Sequence, residues 1–459
     1  MRMRRILWFR RDLRCEDNPL LSQEGDVLPI FIFDTDILEK LPPNDRRVTF
    51  IFKALLRLKE SLKIRGLDLA LFYGKPTDVF QWLLAHEPYD DVCASGDYDP
   101  YAQERDREVS HLIPFTHIHD TYIFESNEVL KSDGSPYLVF TPFYNRAKLV
   151  FRPEHSAESV AVSQTLIPYD YESIHRIDGN THTLLPLSLA SIGFNEQPLT
   201  PHQQLLPEEK LKRFASKLSS YPHDRDFMAQ DATSGLSTDL RFGTISIRAV
   251  IRWLVEQKKS GVDTEPFFRQ LIFREFYAML LAHFPRLVDQ NFRYPFRGID
   301  NYEYFEAFCT ARTGVPIVDA GIRELLSTGE MHNRVRMICA SFFTKNLLLP
   351  WQWGERFFAE HLNDYDASSN ILSWQWSAGT GVDPQPYFRI FNPYTQSGKF
   401  DKEGLYIKTH LPELFDLPPK IFSDEAAWKQ YIWSEYPKPI VDHKQSSKRA
   451  LEYFRQIGV

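Results

Sequence analysis

Short apolar runs alternate with amphipathic stretches over the first quarter of the chain. The apolar runs are bounded by turn-forming residues, as buried parallel strands are, and lie at 5–10, 28–33, 67–73 and 91–94. Between them, apolar positions recur with a helical period over 46–65 and 77–85. This alternation predicts a doubly wound α/β domain with a parallel sheet over residues 1–125.

The pattern changes after residue 125. Residues 126–200 are irregular and contain many Pro, Ser, Thr and His residues, which predicts a surface connector with short helices at most. From about residue 203 strand signals stop, so 201–459 is predicted to be an all-helical domain. Its helices are predicted from apolar spacing at 208–219, 246–258, 264–284, 316–328, 333–348 and 353–363.

Composition narrows the class of protein. The 459 residues are 43% hydrophobic and 14% aromatic, and no apolar stretch is long enough to cross a membrane. The N-terminus gives no convincing signal peptide, so we expect a cytoplasmic protein. We also expect the protein to be a monomer. Four scattered cysteines favour neither a disulfide framework nor a metal site. A net charge of −7 argues against coating nucleic acid by bulk charge, but it leaves room for a local basic patch.

Two segments of the helical domain combine tryptophan with cationic and amide side chains. One segment reads Trp374-Gln-Trp376-Ser-Ala-Gly-Thr-Gly and continues to Tyr387-Phe-Arg389-Ile-Phe-Asn-Pro. The other reads Met331-His-Asn-Arg-Val-Arg-Met. Such a set suits a flat cofactor or a base held against rings, with polar groups at its edges. By itself Trp376 would equally suit core packing.

Three further segments carry weaker signals. Hydroxyls and a glycine in Asp231-Ala-Thr-Ser-Gly-Leu-Ser could cradle a phosphate, although an N-cap and turn is the commoner use of such a run. On a helix, Gln270, Phe273, Arg274 and Tyr277 share one face, as a cofactor wall or an ordinary amphipathic helix would. Dense charges after the first strand, from Arg10 to Asp17, suit either a site at the sheet edge or a salt-bridged loop.

The order and spacing of these motifs resemble the DNA photolyase/cryptochrome flavoproteins, most of all the class I cyclobutane pyrimidine dimer photolyases. The resemblance implies FAD as cofactor and UV-damaged DNA as partner. It implies light-driven repair, in which excited reduced FAD gives one electron to a flipped-out dimer and recovers it after the ring opens. The alternative is a cryptochrome-type photoreceptor without repair activity. A third class, the flavin-dependent redox enzymes, would need a nicotinamide site. No such site is found in the sequence, and no GxGxxG motif follows the first strand.

The resemblance also assigns site residues. It implies FAD contacts at Tyr221, Thr233, Ser234, Gly235, Leu236, Ser237, Gln270, Arg274, Asn333, Arg336, Asp364, Asp366 and Asn370. It implies catalytic or lesion-facing roles for Asn333, Gln270, Met337, Trp376 and Asn370. It implies DNA contacts at Phe273, Arg334, Trp376 and Arg389, and no metal.

Several positions discriminate within the family. Gln270 and Phe273 stand where dimer-repair enzymes usually carry Glu and Trp, so lesion recognition is expected to be kept but retuned. Asn370 favours repair, because plant-type cryptochromes carry Asp there. His332 is followed by Asn333 and not by a second histidine, which disfavours a 6-4 photoproduct enzyme.

The motifs leave two parts of the predicted protein open: the outer electron donor and the antenna chromophore. Trp374 and Trp351 match the inner members of the family's tryptophan chain, but no tryptophan stands at 297–301 for the outer one. Trp353, or a tyrosine at 294, 302 or 304, is the expected substitute. A second, antenna chromophore is expected to be of the deazaflavin or flavin type, since Ala102 replaces the glutamate of folate-binding members.

Overall fold

The apolar runs of the N-terminal part form an eight-stranded sheet in the computed structural model, which describes residues 2–431 and 436–458. The strands are β1 (Arg4–Phe9), β2 (Asp26–Asp34), β3 (Ala70–Gly74), β4 (Asp91–Ser95), β5 (Phe115–Ile118), β6 (Thr165–Leu166), β7 (Ser173–Asp178) and β8 (Thr181–Pro186). Their order is β5-β4-β1-β2-β3-β7-β8, with β6 paired to β2. Every pairing is parallel except that of β7 with β8.

Alternate residues of the central strands enter two separate apolar cores. Leu7 and Phe9 of β1 belong to one core, and Ile6 and Trp8 belong to the other. Successive side chains of a strand point to opposite faces, so both faces of this sheet are covered. Such two-sided burial explains why these strands are continuous apolar runs in the sequence.

The chain forms two compact units. The first comprises residues 2–135, 145–215 and 234–275, and it holds the sheet. Its longer helices are Arg46–Ile64, Pro76–His86, Pro100–Ser110, Pro207–Ala215 and Ile247–Lys259. The second comprises 136–144, 216–233 and the described residues from 276 onward. The domain bounds at 125 and 200 stay a prediction.

The segment 126–200 is more regular than its composition indicated. It contributes β6, β7 and β8 to the sheet, and it contains the helix Phe140–Val150, so the expectation of an irregular connector was wrong there. The outer strands gave little signal because β8 is largely exposed and β7 mixes His and Arg with two isoleucines. A strand near the end of the sheet with exposed positions lacks the continuous apolar run of a central strand.

The second unit is helical among its described residues, which confirms the expected pairing of a parallel-sheet domain with a helical domain. Its principal helices are Tyr302–Cys309, Pro316–Thr328, Asn333–Ser341, Trp351–His361, Ala367–Ala378, Pro393–Phe400, Leu405–His410, Glu425–Gln430 and His443–Gln456. The helix Glu265–His283 passes from the first unit into the second.

Two differences from the predicted helices bear on function. The helix expected over 333–348 ends at Ser341 and continues as a π-helical turn, Phe342–Asn346, whose five residues are all buried. The helix Ala367–Ala378 was not predicted. It is buried on most of its surface, so it lacks the polar face that makes an amphipathic helix visible in a sequence.

Among the residues that the structure describes, no helix is both long enough and apolar enough to cross a membrane.

Candidate active site

Arg336 and Asp364 form an ion pair at the start of the helix Asn333–Ser341. Arg336 Nη2 donates to both carboxylate oxygens of Asp364, at 3.0 and 2.9 Å, and its Nε donates to the Met331 carbonyl at 2.8 Å. On the same helix Asn333 Nδ2 lies 3.7 Å from Met337 Sδ, as the i, i+4 spacing requires. These contacts fix a guanidinium, an amide and a thioether near one helix end.

Asp366 and Asn370 belong to the first turns of the helix Ala367–Ala378. The Asp366 carboxylate caps this helix, accepting from Ser369 N at 3.1 Å and from Ser368 Oγ at 2.6 Å. Asn370 Nδ2 donates to Glu355 at its Oε1 (3.0 Å) and its carbonyl oxygen (3.1 Å). Burial raises the pKa of the Glu355 carboxyl. Asn370 is therefore held as a donor toward Glu355, which leaves its amide oxygen to other partners.

The aromatic core of the second unit surrounds Trp374. Its indole makes edge-to-face contacts with Phe343 (centroids 5.4 Å apart) and Phe358 (4.9 Å). Trp351 is fully buried, and its Nε1 donates to Asn291 Oδ1 at 2.7 Å. Trp353 is half-buried and stacks on Tyr302 with ring centroids 5.1 Å apart. Of the expected outer electron donors, Trp353 and Tyr302 thus lie in contact.

Trp376 and Arg389 are the residues of this segment for which the family resemblance implies contacts with the lesion and with DNA. Trp376 is half-buried two residues before the helix ends, and Arg389 is exposed in the following loop. Gln375, between the two tryptophans, points inward and donates to the carbonyls of Leu287 (2.8 Å) and Gln290 (3.1 Å). This anchor holds the end of the helix on which Trp376 stands.

Arg334 is tied within the protein. Its Nη2 lies 2.7 Å from Asp226 Oδ2, and its guanidinium lies 4.4 Å from the Phe400 ring centroid. The neighbouring His332 caps the helix by accepting from Arg334 N at 3.1 Å, and burial lowers the pKa of its imidazole to about 4. The imidazole is therefore neutral at pH 7.

In the first unit, the helix Glu265–His283 carries the residues for which the sequence left a cofactor wall and an ordinary amphipathic helix open. Gln270 and Phe273 are half-buried, and Gln270 Nε2 makes a long contact of 3.5 Å to the Pro266 carbonyl of its own helix. Arg274 donates to the Thr121 carbonyl at 2.8 Å and lies 4.6 Å from the Tyr122 ring centroid. Arg274 therefore has partners inside its own unit.

The loop 234–237 places small and polar groups around one buried leucine. Leu236 is buried while Ser237 is exposed, and Ser234 Oγ accepts from Leu236 N at 3.4 Å. Gly235 has φ +65°, and a Cβ there would stand 3.0 Å from His202 Nδ1. A side chain would therefore be strained and crowded at this position, which accounts for the glycine there. In the second unit Tyr221 is buried and Thr233 is exposed.

The charged segment after β1 is a salt-bridged loop. Arg11 pairs with Asp97 at 2.9 Å and Arg14 with Asp120 at 2.5 Å, while Arg10 pairs with Asp106. Asp17 pairs with Arg248 at 3.0 Å. Asp12 is fully buried, and burial raises the pKa of its carboxyl to about 6. Of the two interpretations open from the sequence, the ion-paired loop accounts for these contacts.

Two residues near the site escaped the sequence analysis. Glu355 meets Asn370 from fifteen positions away, and Asn291 meets Trp351 from sixty positions away. Neither stands in a motif, and a polar residue on a helix or in a loop carries no local signal of a distant partner. The polar groups of the candidate site are of the types that bind a flavin dinucleotide. Hydroxyls and a glycine turn suit the phosphates, and guanidinium and amide groups suit the edge of the ring.

Comparisons with known proteins cover the chain almost end to end. The family model for DNA photolyase matches residues 5–161, and that for the FAD binding domain of DNA photolyase matches residues 267–456. A deoxyribodipyrimidine photo-lyase of Alkalihalophilus pseudofirmus is 34% identical, covering 98% of each chain. The solved structure of a bacterial class III photolyase from Agrobacterium tumefaciens has a TM-score of 0.85 and 31% identity, covering 100% of this chain and 98% of that one.

An archaeal photolyase from Sulfolobus tokodaii, solved with two FAD molecules, gives a TM-score of 0.83 at 31% identity, covering 99% of this chain and 100% of that one. Matches of this length and identity extend over both units and do not depend on a single motif. The chain belongs to the DNA photolyase family.

Proposed function

We propose that this protein is a deoxyribodipyrimidine photo-lyase that repairs cyclobutane pyrimidine dimers in UV-damaged DNA with light. The observation that carries the proposal is the similarity to proteins of that name over nearly the whole length, 34% identical in one case. The cryptochrome alternative is not favoured. We further propose that it acts in the cytoplasm as a monomer, with an antenna of the flavin or deazaflavin type.

FAD supplies, when bound, the light-driven electron that opens the cyclobutane ring and is then recovered. The chain supplies position and electrostatics. Arg336, oriented by two bonds from one nitrogen to Asp364, would place positive charge beside the isoalloxazine ring. Asn370 would offer its amide oxygen to the same ring, because its NH₂ group is already bound to Glu355.

The proposed phosphate contacts come from Tyr221 and the run Thr233, Ser234, Gly235, Leu236 and Ser237. Hydroxyls and main-chain amides suit a pyrophosphate without adding a titrating cation. Asp366 accepts from the amide of Ser369 and would contact the cofactor through its remaining lone pairs. Arg274 donates to the Thr121 carbonyl and would contact the cofactor through its remaining N–H groups.

Lesion binding is assigned to Asn333, Met337, Gln270, Phe273 and Trp376. A flipped base stacks on an aromatic face whatever its sequence, and such stacking is worth about 1–3 kcal/mol per base. Gln270 can hydrogen-bond a pyrimidine carbonyl through its amide, but it has no proton to transfer. Arg389, which is exposed, would bind backbone phosphate. Arg334 would do so only by sharing or leaving Asp226.

The decisive experiment is dimer repair by the FAD-loaded, chemically reduced protein. A duplex with one thymine dimer should lose the dimer under blue light and keep it in the dark. Trp376→Ala should weaken binding to this duplex by about 1–3 kcal/mol and leave binding to the undamaged duplex nearly unchanged. Equal losses on the two duplexes would refute the stacking role of Trp376. Absence of any light-dependent repair by the parent would refute the proposed function.

A further inference from the structure

A loop of the second unit, residues 285–297, is fastened to the segment that follows Trp376. The amides of Phe292 and Arg293 both donate to the Thr380 carbonyl, at 3.0 and 2.8 Å. Gln375 reaches back from the neighbouring helix to the Leu287 and Gln290 carbonyls. The loop is therefore held at a fixed place beside the end of the helix Ala367–Ala378.

Asn291 organises the interior of this loop. Its Nδ2 donates to the Phe296 carbonyl at 2.7 Å and to the Tyr294 carbonyl at 3.2 Å, while its Oδ1 accepts from Trp351 Nε1. At the loop's end Gly298 has φ +74°, and a Cβ there would lie 2.5 Å from Pro350 N. The loop thus packs directly on main chain, which restricts its movement as a body.

Tyr294 lies in the same loop, directly after Arg293. It has φ +56° although it is not glycine, and its side chain is 39% exposed. A left-handed conformation at such a residue is unfavourable and persists only where the surroundings determine it. The flanking side chains, Arg293 and Arg297, therefore project from a backbone whose course is fixed.

Both arginines are exposed, and among the described residues neither makes an ion pair with a carboxylate. Arg389 is likewise exposed in the loop that begins near Thr380. Arg286, Asp289 and Asp300 are also exposed in this stretch, so Arg293 and Arg297 are the two exposed cations between its two acidic residues. Two guanidinium groups on a main chain fastened to Thr380 and Gln375, near the end of the helix that carries Trp376, suit a polyanion that must be held in register.

We propose that Arg293 and Arg297 bind backbone phosphates of the DNA duplex beside the flipped lesion. The proposal rests on the proposed function, since it takes the DNA that Trp376 would engage as its ligand. Phosphate contacts set register and orientation and do not depend on the bases. Arg293 and Arg297 would therefore act on damaged and undamaged DNA alike, in contrast to Trp376.

The test is the salt dependence of DNA binding by the FAD-loaded protein. The variants are Arg293→Gln, Arg297→Gln and the double variant, with Arg312→Gln, an exposed arginine elsewhere in the unit, as matched control. The probes are a duplex with one thymine dimer and the same duplex without it. Each phosphate contact contributes about 0.9 to the slope of log K against log salt concentration. The double variant should therefore lose about 1.8 from that slope on both duplexes.

Arg312→Gln should keep the parent slope. An unchanged slope in the double variant would overturn the proposal, as would a loss confined to the damaged duplex. Failure of the parent to repair dimers, with the slope still reduced in the variants, would reject the proposed function and keep the phosphate contacts.

Discussion

Lys345 is a fully buried lysine in the π-helical turn of the second unit. Its Nζ donates to the Ala378 carbonyl at 2.8 Å and lies 3.8 Å from the Phe454 ring centroid. Ala378 is the last residue of the helix that carries Trp374 and Trp376, so the ammonium group faces the negative end of that helix. Burial lowers the pKa of Lys345 to about 7.

This shift predicts how stability varies with pH. Between pH 7 and about 10.4, the ordinary lysine value, the unfolded chain binds a proton at Lys345 that the folded chain does not. The contribution of Lys345 to the free energy of unfolding must therefore rise as pH increases through this window. Subtracting the urea unfolding curves of Lys345→Met from those of the parent, from pH 7 to 9.5, should reveal this rise.

The exposed Lys402→Met serves as control and should give a flat difference. A flat difference for Lys345→Met as well would mean that the buried amine keeps its ordinary pKa.

At the scale of elements, Trp374 depends on a glycine in the adjacent helix. A Cβ at Gly354 would stand 2.2 Å from the Trp374 ring, so Trp351–His361 and Ala367–Ala378 approach through this missing side chain. Gly354→Ala should lower the free energy of unfolding by about 1–3 kcal/mol, because a packed indole cannot yield without repacking its neighbours. Urea titration measures the loss, and Arg356→Ala, exposed on the same helix, should cost far less. A neutral Gly354→Ala would show that the two helices can separate freely.

The contact between the helices Tyr302–Cys309 and Trp351–His361 bears on electron supply. Trp353 stacks on Tyr302, which is 73% exposed, and Phe305 meets the same indole edge-to-face at 5.2 Å. We expect this pair to take the place of the missing outer tryptophan. Tyr302 would give an electron toward the photoexcited oxidised flavin, through Trp353, and its phenolic proton to water.

Transient absorption of the FAD-loaded protein measures this expectation. Trp353→Phe should shorten the lifetime of the charge-separated state, and Tyr302→Phe should remove any tyrosyl signal. Tyr304→Phe, on the same helix, is the control and should resemble the parent. Lifetimes that do not respond to Trp353→Phe would exclude this exit.

At the scale of the whole molecule, the net charge of the chain differs in sign from the charge of the surface proposed for DNA. The chain carries a net charge of −7, yet the surface proposed for DNA contains Arg293, Arg297 and Arg389. Affinity for DNA should therefore come from a few placed arginines and not from the total charge. Local concentration of cations on an acidic protein favours binding in one orientation.

Much of the fold was predictable because burial leaves a direct trace in the sequence. The strands β1 to β4 are buried on both faces and appear as apolar runs, and the helices near 247–259 and 316–328 show a helical period. The outer strands β7 and β8 and the largely buried helix Ala367–Ala378 lack such a trace. The helix is missed because it has no polar face, and the two strands are missed because neither forms a continuous apolar run.

The sequence by itself determined the fold class, the family resemblance and the identity of the candidate site residues, since these depend on residue type and spacing along the chain. Only the tertiary structure decided what each side chain meets: Asn370 with Glu355, Arg334 with Asp226, Trp353 with Tyr302. The physical reason is that a hydrogen bond, an ion pair or a ring stack requires contact within a few ångströms. That proximity between distant residues is created by packing and is not written in their local patterns.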